Sequence, residues 1–243
     1  MTTEWNGFRC ESFTFEGREA FLTFPTERDA NGNWALKTEY RDAFPETEIV
    51  LLQKGFHVAF LRNETRFATR EDCDIKARFA AYLHQTYGLS EKCVPIGMSC
   101  GGAHAVNFAA YYPELIQCMF IDAPVLNFLS YPGKMGKNGH EKVWEREFVK
   151  AYPGITRAGL LQFDNHPLCH IDTLKRHQIP ILMVYGTDDD VVPYGENGML
   201  MEREYADAPE LLTIIPRQGE GHHPHGFPNA PERVTDFILA HCK

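Results

Sequence analysis

Short apolar runs with strand character alternate along this chain with segments that have the period of an amphipathic helix. The strand-like runs are Ser12–Glu16, Glu19–Pro25, Phe56–Leu61, Cys93–Gly97, Cys118–Ala123, Ile179–Tyr185 and Leu211–Pro216. The helix-like segments are Pro45–Lys54, Glu71–Tyr87, Ala103–Tyr112, Glu196–Ala206 and Pro231–Cys242. The nearly continuous apolar runs are typical of strands buried on both faces. The alternation therefore predicts an α/β fold, with a mostly parallel central sheet and helices on both of its faces.

The spacing of these elements predicts a single domain over residues 1–243, because α/β folds of this length are commonly undivided. One connection departs from the pattern. Residues 125–178, which include the helix-like segment Glu141–Ala151, are too long for a simple crossover between two strands. We expect this segment to form a small cap or lid over an active site.

Composition excludes several classes of partner. The formal net charge of −9 argues against a nucleic-acid surface and against attraction to acidic membranes. The amino terminus lacks the basic start and apolar core of a secretory signal, and no apolar run reaches the roughly 18 residues that span a bilayer. The seven cysteines are scattered without a CxxC pair, which is typical of reduced thiols in a cytoplasmic protein and predicts no metal site built on them.

The segment Ile96–Gly102, IGMSCGG, places a serine and a cysteine side by side in a glycine-rich turn. In a strand-to-helix elbow the residues two before and two after the nucleophile must be very small, because strand and helix converge there. Gly97 and Gly101 satisfy this rule around Ser99, whereas a methionine stands two residues before Cys100. The spacing therefore predicts Ser99 as the nucleophile and the backbone N–H of Cys100 as an oxyanion donor. A proline inside the preceding run is unexpected, because it removes a hydrogen-bond donor from a central strand.

A serine nucleophile needs a base, and the base needs an acid that holds its tautomer. Both residue types follow the elbow in loops that come directly after strand-like runs, at the edge of the sheet where ligands bind in open α/β folds. The acids are Asp188, Asp189 and Asp190, and the histidines are His222, His223 and His225. Binding of one metal ion by all three histidines is disfavoured by their tight spacing and by the proline between them.

With its elbow, its acid loop and its late Gly-His pair, the whole chain resembles α/β-hydrolase fold enzymes of the esterase type. In many members of that family the second Asp of a Gly-Asp-x-Asp-x-x-Val-Pro loop is catalytic. The register set by Val192–Pro193 points to Asp189, with Asp188 as the alternative. The family's base usually follows a glycine directly, which points to His222, with His223 as the alternative.

The resemblance also implies an oxyanion hole with two backbone donors. One is the N–H of Cys100, and the second comes from the loop after the third strand. The sequence assigns that strand to Glu19–Pro25, so the expected second donor is Trp34 or one of its neighbours, Asn33 and Ala35. Trp34 is equally suited to lining the substrate pocket or to packing in the core.

These observations predict a serine hydrolase that cleaves a carboxylic ester through an acyl-enzyme on Ser99. The expected substrate is a small-molecule ester, either small-acyl or carbohydrate-linked, the latter by likeness to bacterial carbohydrate and acetyl esterases. Peptide or amide cleavage, lactone opening and acyl transfer use the same three residues and remain alternatives, as does a hydrolase-like binding protein without activity. No cofactor is implied, because this chemistry needs none.

Overall fold

A computed structural model describes residues 1–133, 135 and 141–242 of the chain. Nine strands among these residues form one sheet with the order β1-β2-β3-β5-β4-β6-β7-β8-β9. The strands are β1 (Thr2–Trp5), β2 (Phe8–Phe15), β3 (Arg18–Thr23), β4 (Trp34–Lys37), β5 (His57–Leu61), β6 (Val94–Met98), β7 (Met119–Asp122), β8 (Ile181–Gly186) and β9 (Leu212–Arg217). The first three strands and β5 pair antiparallel, and the sheet from β5 through β9 is parallel. The predicted mostly parallel sheet is confirmed.

Helices cover both faces of the sheet, as predicted. They are α1 (Glu46–Gln53), α2 (Arg70–Tyr87), α3 (Cys100–Tyr111), α4 (Glu141–Val143), α5 (Val149–Ala151), α6 (Ile171–Arg176), α7 (Gly198–Glu204) and α8 (Glu232–His241). Residues of α2, α3, α6 and α7 pack with Leu36, Ile121 and Met183 on one face. Residues of α1 and α8 pack with Ala35 and Phe120 on the other face. The alternation of neighbouring strand residues between two apolar clusters is what buries both faces of the sheet.

Pro95 is accommodated by a local shift in strand register. An isolated bridge joins Cys93 to Ile116, and the ladder with β7 resumes where Ile96 pairs with Phe120. Two residues of one strand therefore lie opposite three of the other, as in a β-bulge. The missing N–H of Pro95 falls in this gap, where the regular ladder is interrupted in any case.

The described part of segment 125–178 consists of short helical turns. The predicted helix Glu141–Ala151 is observed as α4, a π-helical turn (Trp144–Phe148) and α5. Its aromatic residues, among them Phe128 and Phe148, pack against Phe67 and the start of α3 on the main body. Residues 134 and 136–140 lie outside the described part of the chain. The assignment of this segment as a cap stays a prediction.

No helix among the described residues is long and apolar enough to cross a membrane. The seven cysteines all fall within the described ranges and are all free thiols, of which only Cys169 is exposed.

Candidate active site

The turn between β6 and α3 has the sharp geometry of a nucleophile elbow. Ser99 has a φ of 52° and a ψ of −121°, a conformation that non-glycine residues rarely adopt. Its N–H donates to the carbonyl oxygen of Asp122 at 2.9 Å, and its carbonyl oxygen accepts from the N–H groups of Gly102 and Val125, each at 2.9 Å. The strained turn is thus fixed to the end of β7 on both sides of the serine.

Close packing explains the glycines of the elbow. A Cβ atom on Gly97 would lie 2.4 Å from the carbonyl oxygen of Gly101, and one on Gly102 would lie 2.3 Å from the Cβ atom of Pro124. A Cβ atom on Gly101 would lie 3.1 Å from that of Glu39. No side chain fits at Gly97, two residues before the serine, and Gly101, two residues after it, is tightly packed. The requirement at Gly102 comes from Pro124, directly after β7, and was not predicted.

Cys100 is the first residue of α3, and only 1% of its surface is exposed. Burial raises the pKa of its thiol to about 11, so the thiol stays protonated near neutral pH. A protonated, buried thiol is a poor nucleophile, which agrees with the choice of Ser99. The backbone N–H of Cys100, at the positive end of the helix, is the group available to an oxyanion.

A continuous hydrogen-bonded chain joins Ser99, His222 and Asp189. Nε2 of His222 lies 3.1 Å from Oγ of Ser99, and its Nδ1 lies 2.7 Å from Oδ2 of Asp189. The other oxygen of Asp189 accepts from the N–H groups of Val191 at 2.9 Å and Val192 at 2.8 Å. Burial opposes ionisation of Asp189, but the hydrogen bonds outweigh it and lower the pKa of the carboxyl below its ordinary value. The aspartate is therefore ionised and oriented toward the imidazole.

The alternative acids and base lie away from this chain of contacts. Asp188 and Asp190 are exposed, and the hydroxyl of Thr187 donates to the Asp188 carboxylate at 3.3 Å. The ring of His223 is exposed and stacks on Phe44, with centroids 5.5 Å apart and an interplanar angle of 16°. The structure therefore brings Asp189 and His222 together with Ser99, and it leaves the alternatives Asp188 and His223 outside this contact.

A buried carboxylate supports the loop that carries His222. Asp122 ends β7, is fully buried, and accepts from the N–H of Gly226 and from Nη2 of Arg217, the latter at 3.1 Å. Nδ1 of His225 lies 3.5 Å from the same carboxylate. Because the carbonyl oxygen of Asp122 also binds Ser99, this one residue connects the elbow to the histidine loop. It was missed because a lone Asp at a strand end carries no distinctive sequence signal.

The prediction that Trp34 supplies the second oxyanion donor is wrong. Trp34 begins β4, whereas the elbow lies beyond the opposite end of the neighbouring β6. Its indole N–H donates to the carbonyl oxygen of Ser90 at 2.9 Å, and its side chain is buried. Asn33 and Ala35 flank it and are excluded by the same placement. The cause is a shifted strand count: β4, not the run Glu19–Pro25, is the strand next to β6.

The backbone that does lie against the elbow is Thr38–Tyr40, directly after β4. The hydroxyl of Thr38 donates to the carbonyl oxygen of Gly101 at 2.7 Å. Nδ2 of Asn63 donates to the carbonyl oxygen of Thr38 at 2.6 Å and to Glu39 Oε2 at 2.5 Å. Asn63 is held in turn by the buried ammonium of Lys76. The segment opposite the elbow is thus fixed from both sides.

A polar cavity of about 300 Å³ lies between the loop after β5 and the helical turns around residues 146–150. Its lining includes Glu39, Arg66, Glu147 and Lys150. The guanidinium of Arg66 donates to both carboxylate oxygens of Glu147, at 2.6 and 2.7 Å, and to the hydroxyl of Tyr40 at 3.3 Å. The Tyr40 ring packs against the apolar cluster that contains Cys100. The cavity thus adjoins the segment 38–40 through Glu39, and no residue of the triad is in its lining.

One group within the described part of the chain has the composition and proximity needed to bind a metal ion. It consists of His222, His223 and His225, with one ligand atom of each within 4.8 Å of the others. The tight spacing and the intervening proline, which led us to disfavour a shared ion from the sequence, therefore do not keep the three rings apart.

Comparison with known proteins assigns the fold. No family model matches the chain, and no curated protein is similar to it in sequence. Est1E from Butyrivibrio proteoclasticus is similar in structure, with a TM-score of 0.67, 15% identity, and coverage of 99% of this chain and 98% of that one. Porphyromonas gingivalis dipeptidyl peptidase 4 has a TM-score of 0.70 and 15% identity over 98% of this chain. An acylaminoacyl peptidase from Pyrococcus horikoshii has a TM-score of 0.69 and 14% identity over 98% of this chain. This chain spans only 36% and 42% of the lengths of the two peptidases. These likenesses show that the chain has the α/β-hydrolase fold.

Proposed function

We propose that this chain of α/β-hydrolase fold is a serine hydrolase that cleaves carboxylic esters through an acyl-enzyme on Ser99. The observation that carries the proposal is the hydrogen-bonded chain Ser99–His222–Asp189, built on a strained elbow at the carboxyl edge of the sheet. Three groups that act together are far more specific than a glycine-rich turn alone.

In this mechanism His222 takes the proton of the Ser99 hydroxyl through Nε2 while the serine oxygen attacks the ester carbon. Asp189 holds the proton on Nδ1 of the imidazole, so that Nε2 presents its lone pair to the serine. His222 then gives its proton to the departing alcohol. A water molecule, activated by the same imidazole, releases the acyl group and restores the serine.

The tetrahedral intermediate carries a negative oxygen that needs fixed donors. The N–H of Cys100 is one donor, as the sequence predicts. We assign the second to the segment Thr38–Tyr40, which takes the place of Trp34. The support is the contact of this segment with Gly101, together with its attachment to Asn63.

The substrate class follows the sequence resemblance: a small-acyl ester of a hydroxyl-rich alcohol such as a carbohydrate. The cavity that includes Glu39 adjoins the segment 38–40, and its lining has charged and polar side chains, among them Arg66, Glu147 and Lys150, but not Ser99 or His222. Such side chains can bind hydroxyl groups in two directions, whereas a long alkyl chain would leave them desolvated without partners.

Peptide or amide cleavage is the second candidate. Two proteins of similar structure are a dipeptidyl peptidase and an acylaminoacyl peptidase, and the triad chemistry serves amides as well as esters.

The experiment is a panel of p-nitrophenyl acetate, acetylated monosaccharides, p-nitrophenyl esters of longer acids and aminoacyl p-nitroanilides. We expect turnover of the acetyl esters, loss of that turnover in Ser99→Ala, and its retention in the matched surface variant Asp188→Asn. Faster turnover of the anilides would favour the peptidase alternative. An absence of turnover across the whole panel would favour a binding protein.

A further inference from the structure

We propose that His222, His223 and His225 form a binding site for a divalent ion of the zinc class, and that occupation of this site reversibly stops hydrolysis. The binding half of this inference is independent of the proposed function. The inhibition half rests on it, because His222 is the proposed base.

The three imidazole rings already have the spacing of ligands around one ion. Their centroids are 4.8 Å apart for His222 and His223, 4.9 Å for His222 and His225, and 5.0 Å for His223 and His225. A tetrahedral ion with Zn–N bonds of about 2.1 Å places ring centres roughly 5 Å apart. The ligand nitrogens, which lie within 4.8 Å of one another, need to approach to roughly 3.4 Å for such an ion. His222 and His225 are buried and His223 is exposed, so we expect the His223 ring to make most of that movement.

One of the rings, His222, has the hydrogen-bonded carboxylate that is typical of metal-binding histidines, and His225 has a carboxylate nearby. Metal-ligating imidazoles almost always donate their second N–H to a carboxylate or carbonyl group, which fixes the tautomer. Nδ1 of His222 is 2.7 Å from Asp189, and Nδ1 of His225 is 3.5 Å from Asp122. The hydrogen bond at Nδ1 of His222 leaves its Nε2 as the ligand atom, whereas the buried Nδ1 of His225 makes no hydrogen bond.

The charge around the site suits a dication bound with moderate affinity. The carboxylates of Asp189 and Asp122 are both buried. Arg217, whose Nη2 is 3.1 Å from Asp122, offsets one of these charges. A negative charge therefore remains next to three imidazole donors, an arrangement that favours zinc, cobalt or copper over magnesium or calcium.

Occupation of the site is incompatible with catalysis. Nε2 of His222, the nitrogen that receives the proton of Ser99, would be coordinated to the ion and could no longer accept it. The hydroxyl of Ser99, 3.1 Å from the same nitrogen, would face the open fourth position of the ion. Removal of the ion by a chelator should therefore restore activity without refolding.

The test begins with binding. Chelator-treated protein is titrated with Co²⁺, for which tetrahedral coordination gives intense visible bands, and with Zn²⁺ by calorimetry. We expect one ion per chain and an affinity that falls by about tenfold or more in His223→Gln. His84→Gln, which changes a half-exposed histidine on α2, is the matched control and should bind the ion as the parent does.

Inhibition is then measured on p-nitrophenyl acetate, with each variant compared with its own metal-free rate. We expect Zn²⁺ to inhibit the parent, EDTA to reverse the inhibition, and His223→Gln to require about tenfold more Zn²⁺. Absence of Co²⁺ bands, or binding that His223→Gln leaves unchanged, would overturn the site. Binding without inhibition would overturn the switch. If the parent hydrolyses no ester, the proposed function fails, whereas the Co²⁺ titration still decides whether the ion site exists.

Discussion

Replacement of Asp189 by Asn should inactivate the protein by reversing the tautomer of His222. One carboxylate oxygen of Asp189 accepts from the N–H groups of Val191 and Val192, and the other faces Nδ1 of His222. In Asp189→Asn the amide oxygen must stay with the two N–H groups, so the NH₂ group points at Nδ1. Nδ1 then becomes an acceptor, the imidazole proton moves to Nε2, and the Ser99 hydroxyl has no base.

The size of the effect can be worked from these contacts. Turning the amide the other way would leave two buried N–H groups without an acceptor, at a cost of roughly 2–6 kcal/mol. At 1.36 kcal/mol per tenfold, this alone makes the productive tautomer about 30-fold or more rarer. Loss of the negative charge beside the imidazolium adds to this. A total fall in kcat of about 10⁴-fold is expected, by analogy with the same change in other triads.

The assay is steady-state hydrolysis of p-nitrophenyl acetate together with the rate of fluorophosphonate labelling. The matched control is Asp188→Asn, which removes the neighbouring, exposed carboxylate and should keep the parental rate. Thermal unfolding followed by circular dichroism must show that both variants are folded. A folded Asp189→Asn protein that loses less than about tenfold would refute the reasoning, since Asp189 would then not control the tautomer.

Three further predictions concern the framework of the site. The ionised Asp72 has a pKa of about 2, because its cationic and hydrogen-bonding neighbours outweigh the effect of burial. The stability that this carboxylate contributes is therefore present above its ordinary pKa of 3.8 and is lost as pH falls toward 2. Asp72→Asn should lower the free energy of unfolding at pH 7 by about 3–5 kcal/mol, and by less in acid. Urea titration at each pH measures this difference. Glu147→Gln breaks the two-bond ion pair between Glu147 and Arg66, both of which are about one-third exposed. This change should lower the free energy of unfolding by about 0.2–1 kcal/mol, and 1 M salt should remove the difference. Gly97→Ala places a methyl group 2.4 Å from a backbone oxygen, so it should lower the free energy of unfolding by about 1–3 kcal/mol and remove most of the activity. Gly195→Ala, whose added methyl group has nothing within 4 Å, should change neither stability nor activity.

The catalytic candidates could be predicted because short-range patterns specify them. The glycine on each side of Ser99 selects the serine over Cys100, and the order serine, acid, histidine selects the loops. The register within each loop came from the family resemblance, and the structure places Asp189 and His222 in hydrogen-bond contact. These assignments needed no knowledge of which strands are neighbours.

The second oxyanion donor could not be predicted because it depends on strand order. Strand β4 has only four residues and contains Lys37, which does not fit the pattern of a buried strand. The structure shows why this lysine is tolerated: its ammonium lies 2.5 Å from the carboxylate of Glu48 in the interior. Without β4 the strand count shifts, and the donor is assigned to Trp34 at the wrong end of the sheet.

Contacts between distant parts of the chain explain the other omissions. Gly102 must be a glycine because Pro124, which follows β7 in the chain, lies against it. Pro95 is tolerated in a central strand because its missing N–H falls at the register shift against β7. The support of the histidine loop by Asp122 is likewise a contact across more than 100 residues of sequence. A pattern read along one segment carries no signal for such pairs.

The most direct test of the central claim is to identify the residue that becomes acylated or phosphonylated. The parent protein is treated with a fluorophosphonate, digested, and mapped by tandem mass spectrometry, with Ser99→Ala as the comparison. We expect one adduct, located on Ser99 and absent from the variant. An adduct on Cys100, or an adduct that persists in Ser99→Ala, would contradict it.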